Sequence, residues 1–233
     1  MLSAHPELVV YFGDKGDQLI NYDPKVVASQ LFAKLDLLKQ KFGVGRLVLL
    51  DQVHGTCAHV ISKSETQKYF SKQGDILVTN VRDTALGIMT ADCLPVMLYD
   101  PVRRVIAAVH AGWKGSISGV TTAAVKLLKS KFHSRAEDLK VFLGPCACVC
   151  CYEVSKDFMQ VLESWKSIRI FVSPRRYFFN HPLYVTEKLV SEGILLESIK
   201  TNTNHCTICD SNFHSHRRSR GSPDRQISVI FLR

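Results

Sequence analysis

The chain has 233 residues, 46% hydrophobic and 22% charged, which excludes disorder as its default state. That length is enough to bury a full core as one α/β domain or at most two small ones. Thirty Lys and Arg against 21 Asp and Glu leave a net charge of +9, which favours anionic partners such as phosphate and nucleotides.

The start, Met1-Leu-Ser-Ala-His-Pro-Glu7, has no basic flank leading into an apolar stretch, so a cytoplasmic location is expected, with the nucleus as the other option. Residues Pro24 to Phe42 predict a helix, with Asp23 as cap, Pro24 in the first turn and Gly43 as the stop. Val27, Leu31, Leu35 and Leu38 give it one apolar face. From Arg46 the texture changes to short aliphatic runs bounded by Gly, Asp or Pro. Strands are predicted at Leu47–Leu50, Asp75–Thr79, Ala85–Met89, Leu94–Leu98 and Val105–Val109. A helix is expected from Ile117 to Lys131 with Val120, Ala124 and Leu127 on one face, and others at Ser155–Trp165 and His181–Gly193. Gln226–Leu232 reads as a closing strand. Apolar runs stay far below the roughly 20 residues of a bilayer span, so no membrane partner is expected. Several strands lie too close in sequence for crossover helices, which predicts a mixed sheet flanked by helices in a single domain over 1–233.

Three residues stand where predicted strands give way to turns: His54 in Gln52-Val-His-Gly55, Cys93 in Thr90-Ala-Asp-Cys-Leu-Pro95, and His110 in His110-Ala-Gly-Trp-Lys-Gly115. Two imidazoles and a thiolate suit Zn²⁺, with Cu²⁺ the less favoured ion, and three ligands leave a fourth position open for water or substrate. Bound water there would have its pKa lowered toward about 7. Without metal, the same trio reads as a Cys93 nucleophile with a histidine base. Taken singly, each residue is better explained by a structural role.

The motifs occur in one order: Gln-Val-His-Gly, Gly74-Asp-Ile-Leu-Val-Thr79, Thr-Ala-Asp-Cys-Leu-Pro, His-Ala-Gly-Trp-Lys-Gly, and Leu143-Gly-Pro through Tyr152-Glu-Val154. They end with Asn204-His-Cys-Thr-Ile-Cys209 and Phe213-His-Ser-His-Arg-Arg218. In that order they resemble the laccase-domain (multicopper polyphenol oxidase-like) family over residues 46 to 233. The resemblance implies a purine nucleoside phosphorylase with adenosine deaminase and methylthioadenosine phosphorylase activities. It also implies a cysteine-hydrolase-like α/β fold. By the same resemblance His54, Cys93 and His110 are the metal-binding and catalytic residues, and Asp75 is an acidic group near the pocket. For deamination, Asp75 and Asp92 are the candidate proton relays. Family members carry an Arg and a Gly-Gly-x-Ser near the N-terminus. Here that stretch reads Tyr11-Phe-Gly-Asp-Lys-Gly-Asp-Gln-Leu-Ile-Asn21, so contacts from that loop do not carry over.

Lys114 precedes a predicted helix and, with Arg217 and Arg218, is a candidate for phosphate. Trp113 reads as an anchor on the core. Nucleic acid is disfavoured, because the basic excess clusters in His214-Ser-His-Arg-Arg-Ser-Arg220 without an aromatic-interleaved tract. Two further readings stay open: a metal-independent cysteine hydrolase, and a basic binding module without turnover. A true laccase is excluded, since its copper centres need about ten His and Cys ligands, many as His-x-His pairs. The chain has nine His, and His214-Ser-His216 is its one such pair.

The eight cysteines are expected to be reduced. Cys206-Thr-Ile-Cys209, near His205 and His214, reads first as buried thiols. A structural zinc there would need further ligands from Cys148, Cys150 or Cys151.

Overall fold

The computed structural model describes residues 6–19, 29–64, 69–162, 170–173, 176–201 and 205–233. In chain order its elements are β1 (Leu8–Phe12), α1 (Ser29–Phe42), β2 (Arg46–Val48), β3 (Ala58–Val60) and β4 (Ile76–Thr79). Next come β5 (Thr84–Thr90), β6 (Leu94–Asp100), β7 (Val105–Ala111), α2 (Trp113–Ile117), α3 (Val120–Phe132) and β8 (Lys140–Leu143). The remainder is β9 (Glu153–Val154), α4 (Lys156–Leu162), β10 (Ile170–Ser173), β11 (Arg176–Phe179), α5 (His181–Ser191), β12 (Ile199–Lys200) and β13 (Gln226–Leu232).

The strands are mixed in direction, as the short connections predict, but divide between two mixed sheets. One runs β1-β13-β5-β2 and the other β12-β8-β6-β7-β4-β3. In the first only the β2–β5 pair is parallel; in the second the two outer pairs, β8–β12 and β3–β4, are parallel. A third, antiparallel sheet has the order β10-β11-β9.

Period-two alternation sends neighbouring residues of each strand into different cores. Leu86 and Ile88 of β5, Ile230 and Leu232 of β13, and Ile106 and Ala108 of β7 share one layer with Met97, Tyr99 and Phe142. That layer lies between the two large sheets. Ala85, Met89, Ile227, Val229 and Phe231 pack instead with Leu31, Leu35, Leu38 and Phe42 of α1. Val105, Ala107 and Val109 pack with Val120, Ala124 and Leu128 of α3 and with Tyr184 and Leu189 of α5. Helices therefore cover the outer faces of a two-sheet sandwich. Both faces of the central strands are buried, which is why they read as unbroken apolar runs rather than alternating ones.

The α1 face is as predicted at Leu31, Leu35 and Leu38, which are buried, each contributing about 1.5–3 kcal/mol. Gly43 ends the helix at φ +66°. Asp23, Pro24 and Val27 lie outside the described residues. The helix expected from Ile117 is two helices, because Gly119 takes φ +85° between α2 and α3. Leu128 takes a fully buried place on its inner face, where Leu127 is only partly covered. α4 is described to Leu162, and Trp165 lies outside the described residues. Among the described residues, no helix is long and apolar enough to cross a membrane.

Candidate active site and metal centre

Strand register brings the three predicted residues together. In the β6–β7 pair Pro95 lies opposite His110 and Leu94 opposite Ala111, so Cys93, one residue before β6, falls beside the end of β7. On the other side of β7, Ile76 lies opposite Val109, which sets Asp75 next to His110. The His110 N–H donates to the Asp75 carbonyl at 2.8 Å. His110 is thus the penultimate residue of β7, rather than following it, and alternation turns it to the same side as Ile106 and Ala108, at the end of the inter-sheet layer.

His54 arrives from a separate loop and has φ +60°, a left-handed conformation that needs outside support. Asp75 supplies it. Its Oδ1 accepts from the His54 N–H at 2.9 Å and its Oδ2 from the Gly55 N–H at 2.7 Å. Nδ1 of His110 donates to the same Asp75 Oδ1 at 2.7 Å. Asp75 is fully buried, and burial resists its ionisation. The His110 hydrogen bond and charge and the two backbone donors outweigh burial and hold the carboxyl below its usual range.

With Nδ1 committed to Asp75, the second ring nitrogen of His110 is the one left to act as a ligand. Cys93 Sγ lies 3.8 Å from His54 Nε2. The two imidazole rings meet edge-on with centroids 4.7 Å apart. Ligand atoms of His54, Cys93 and His110 all lie within 4.8 Å of one another. Burial opposes the Cys93 thiolate, yet facing His110 and His54 outweigh it and draw the thiol below its ordinary range. For His110, burial favours the neutral ring, while Cys93 and Asp75 raise its proton affinity.

Gly112 makes this approach possible. A Cβ there would stand 2.7 Å from His54 Cδ2 and 3.2 Å from Cys93 Sγ. The donor set, its reach and the anchored His110 fit a three-ligand metal centre with one side open.

That side faces a cavity of about 670 Å³ lined by Gln52, Met89, Asp92, Trp113, Tyr152 and Arg217, among others. This is an ordinary size for a small-molecule site. Lys114 and Arg217 both line it. The Arg217 N–H donates to Asp92 Oδ2 at 2.7 Å and its guanidinium to the Glu153 carbonyl at 2.8 Å. Trp113 packs edge-on against Phe158 at 5.1 Å, the predicted anchor, and also reaches the cavity wall.

Three expectations change. Asp75 is not among the residues lining the cavity, and its carboxylate is turned to the His54 and His110 segments, which it holds in place. Arg218 is occupied elsewhere: its guanidinium donates to the carbonyls of Thr207, Ile208, Asp210 and Phe213. Lys114 lies inside the five-residue helix α2 rather than before a helix, and α2 is too short to present the developed N-terminal dipole expected for phosphate.

Gln52, Tyr152, His216 and Arg225 are cavity residues the sequence reading does not single out. Gln52 grips the end of β5, donating to the Met89 carbonyl and accepting from the Met89 N–H, both at 2.8 Å. Its place before Val53-His54 in the first motif is the one signal that marks it.

The family model described as multi-copper polyphenol oxidoreductase laccase matches residues 23–233. The chain belongs to that family. This laccase-family chain is 31% identical to the purine nucleoside phosphorylase of Clostridium acetobutylicum, over 83% of its own length and 80% of the relative's. It is 31% identical to the purine nucleoside phosphorylase LACC1 of Mus musculus over 91% of its length, spanning only 49% of that longer protein. The fold of YlmD from Geobacillus stearothermophilus superposes with a TM-score of 0.83 at 23% identity, covering 100% of this laccase-family chain and 98% of the other.

Proposed function

We propose that this chain is a purine nucleoside phosphorylase acting on adenosine and inosine with phosphate, with adenosine deaminase and methylthioadenosine phosphorylase as side activities. The observation that carries the reading is the meeting of His54, Cys93 and His110 at the base of the 670 Å³ cavity. The relatives named purine nucleoside phosphorylase agree with it. His54, Cys93 and His110 would hold Zn²⁺ in preference to Cu²⁺, and the bound ion would supply Lewis acidity and a nucleophilic water at neutral pH. The cytoplasm is the proposed setting.

The chain's own residues then divide the work. Asp75 fixes the tautomer and direction of His110 and the backbone of His54. Lys114 and Arg217, on the cavity wall, bind phosphate and direct it toward the ribose C1′. Cleavage of the glycosidic bond passes through oxocarbenium character, which the phosphate dianion held by these cations stabilises. The purine leaves with the bonding electrons, and the products are free base and ribose 1-phosphate. For deamination, water adds at C6 of adenosine and ammonia leaves, giving inosine. Asp92 lines the cavity and is the acid closest to this role, although Thr207 and the Arg217 N–H each hold one of its oxygens.

Incubation with adenosine and phosphate, followed by chromatography, tests the reading. Adenine and ribose 1-phosphate above a His54→Ala control are expected. Absence of adenine, hypoxanthine and inosine would favour a binding module without turnover. A second reading has its own support: the Cys93 thiol, depressed by two imidazoles, has the character of a hydrolase nucleophile. Full activity in strong chelator after verified loss of metal would favour it.

A further inference from the structure

Cys206 and Cys209 are only partly buried and exposed, respectively, rather than buried as their sequence suggests. Cys150 and Cys151 meet them from the other side. The four sulfurs lie within 4.8 Å of one another, and Cys150 Sγ is 4.0 Å from Cys209 Sγ. Four thiolates around Zn²⁺ at about 2.3 Å place sulfurs about 3.8 Å apart, so a small contraction closes the shell. We propose that Cys150, Cys151, Cys206 and Cys209 bind a second, structural Zn²⁺ that staples two loops behind the cavity wall.

The backbone is arranged for it. Cys206-Thr-Ile-Cys209 forms a tight turn in which the Asp210 N–H donates to the Cys206 carbonyl at 3.0 Å. The opposite loop folds by the Cys151 N–H donating to the Cys148 carbonyl at 2.9 Å. The loops are already aligned: the Cys146 N–H donates to the His205 carbonyl at 3.0 Å and the Thr207 N–H to the Cys146 carbonyl at 2.9 Å. Four thiolates leave net negative charge on a zinc centre. Arg218, bound to three carbonyls of the Thr207–Asp210 turn, brings a compensating cation to the same loop.

An all-sulfur tetrahedral set selects zinc or iron over magnesium, calcium or copper(II). His205 and His214 do not join the cluster; His205 stacks on Phe213 at 5.8 Å. Ala147 and Ile208, each on one of the two loops, line the cavity. The staple therefore fixes the wall that carries Arg217, and its existence does not depend on the reaction catalysed.

The test uses full-length protein purified without added metal, with zinc counted by elemental analysis. Wild type should carry about two zinc ions, and the His54→Ala/Cys93→Ser chain about one, since its remaining site has four cysteines. Cys206→Ser/Cys209→Ser should lose one ion and melt at lower temperature. X-ray absorption on wild type needs no variant to fold. It should show about 2.5 sulfur neighbours per zinc, the mean of four and one, where a single His/Cys/His centre gives about one. One zinc per wild-type chain with one sulfur neighbour, iron in place of the second zinc, or intact masses showing disulfides among the four cysteines would overturn the proposal.

Discussion

Nδ1 of His110 donates to Oδ1 of Asp75 at 2.7 Å, and the same oxygen accepts the His54 N–H at 2.9 Å. One buried carboxylate thus orients two of the three proposed zinc ligands. Asp75→Asn replaces one acceptor oxygen with an NH₂ group facing donors. We expect zinc affinity at the His/Cys/His centre to fall about 10- to 100-fold. Competition with a chromogenic chelator measures it, and unchanged affinity would remove Asp75 from the centre.

Gly112 has φ −71° and ψ 161°, a backbone open to any residue, so a substitution there acts through space alone. Gly112→Ala sets a methyl 2.7 Å from His54 Cδ2. The ring must turn away from Cys93 while its backbone stays pinned by Asp75. Phosphorolysis should drop by roughly 10²-fold, as for a misplacement near 1 Å, with the circular dichroism spectrum retained. Wild-type turnover would show that the close packing is incidental.

Adjacent arginines should behave differently. Arg217 reaches the cavity and holds one loop carbonyl, so Arg217→Ala should raise KM for phosphate tenfold or more and lower the melting temperature less than Arg218→Ala does. Arg218 binds loop carbonyls, so Arg218→Ala should cost about 1–2 kcal/mol of stability with a smaller change in KM. Steady-state kinetics and thermal melts on both variants separate the roles. An exchanged pattern contradicts the assignment.

His181 is buried, and burial foremost, then the charge on His110, depresses its pKa to about 3 from 6.5. Its Nε2 lies 2.7 Å from the Ser116 hydroxyl oxygen. The unfolded chain takes up a proton here as pH falls below about 6.5, while the folded chain does so only near 3. Stability is therefore present above 6.5 and lost as pH falls toward 3. The slope from this group is up to about 1.4 kcal/mol per pH unit. His181→Phe should flatten the decline of melting temperature between pH 6.5 and 5. An equally steep decline would assign acid sensitivity to other groups.

What the sequence discloses follows from how local its signals are. The clustering of His54, Cys93 and His110 was legible because each member sits in a short motif and the motifs recur in order. The helix α1 was legible from the spacing of Leu31, Leu35 and Leu38 and from the Gly43 stop, and α5 was expected at its observed place. The role of Asp75 was not legible, because it rests on hydrogen bonds to residues 20 and more positions away. β3, β9 and β12 have two or three residues, too few for alternation to register. The break between α2 and α3 hinges on one glycine with positive φ, which in sequence resembles a tolerated helical glycine. The split into two sheets depends on which strands pair, and both faces being apolar hides that choice. The four-cysteine cluster joins segments more than fifty residues apart, so the sequence offers its members but only the fold brings them together.

Diffraction from crystals of metal-replete protein, recorded above and below the zinc absorption edge, tests the central claim most directly. An anomalous peak about 2.0–2.3 Å from His54 Nε2, His110 Nε2 and Cys93 Sγ is expected. Well-ordered side chains at all three positions with no peak among them would contradict it.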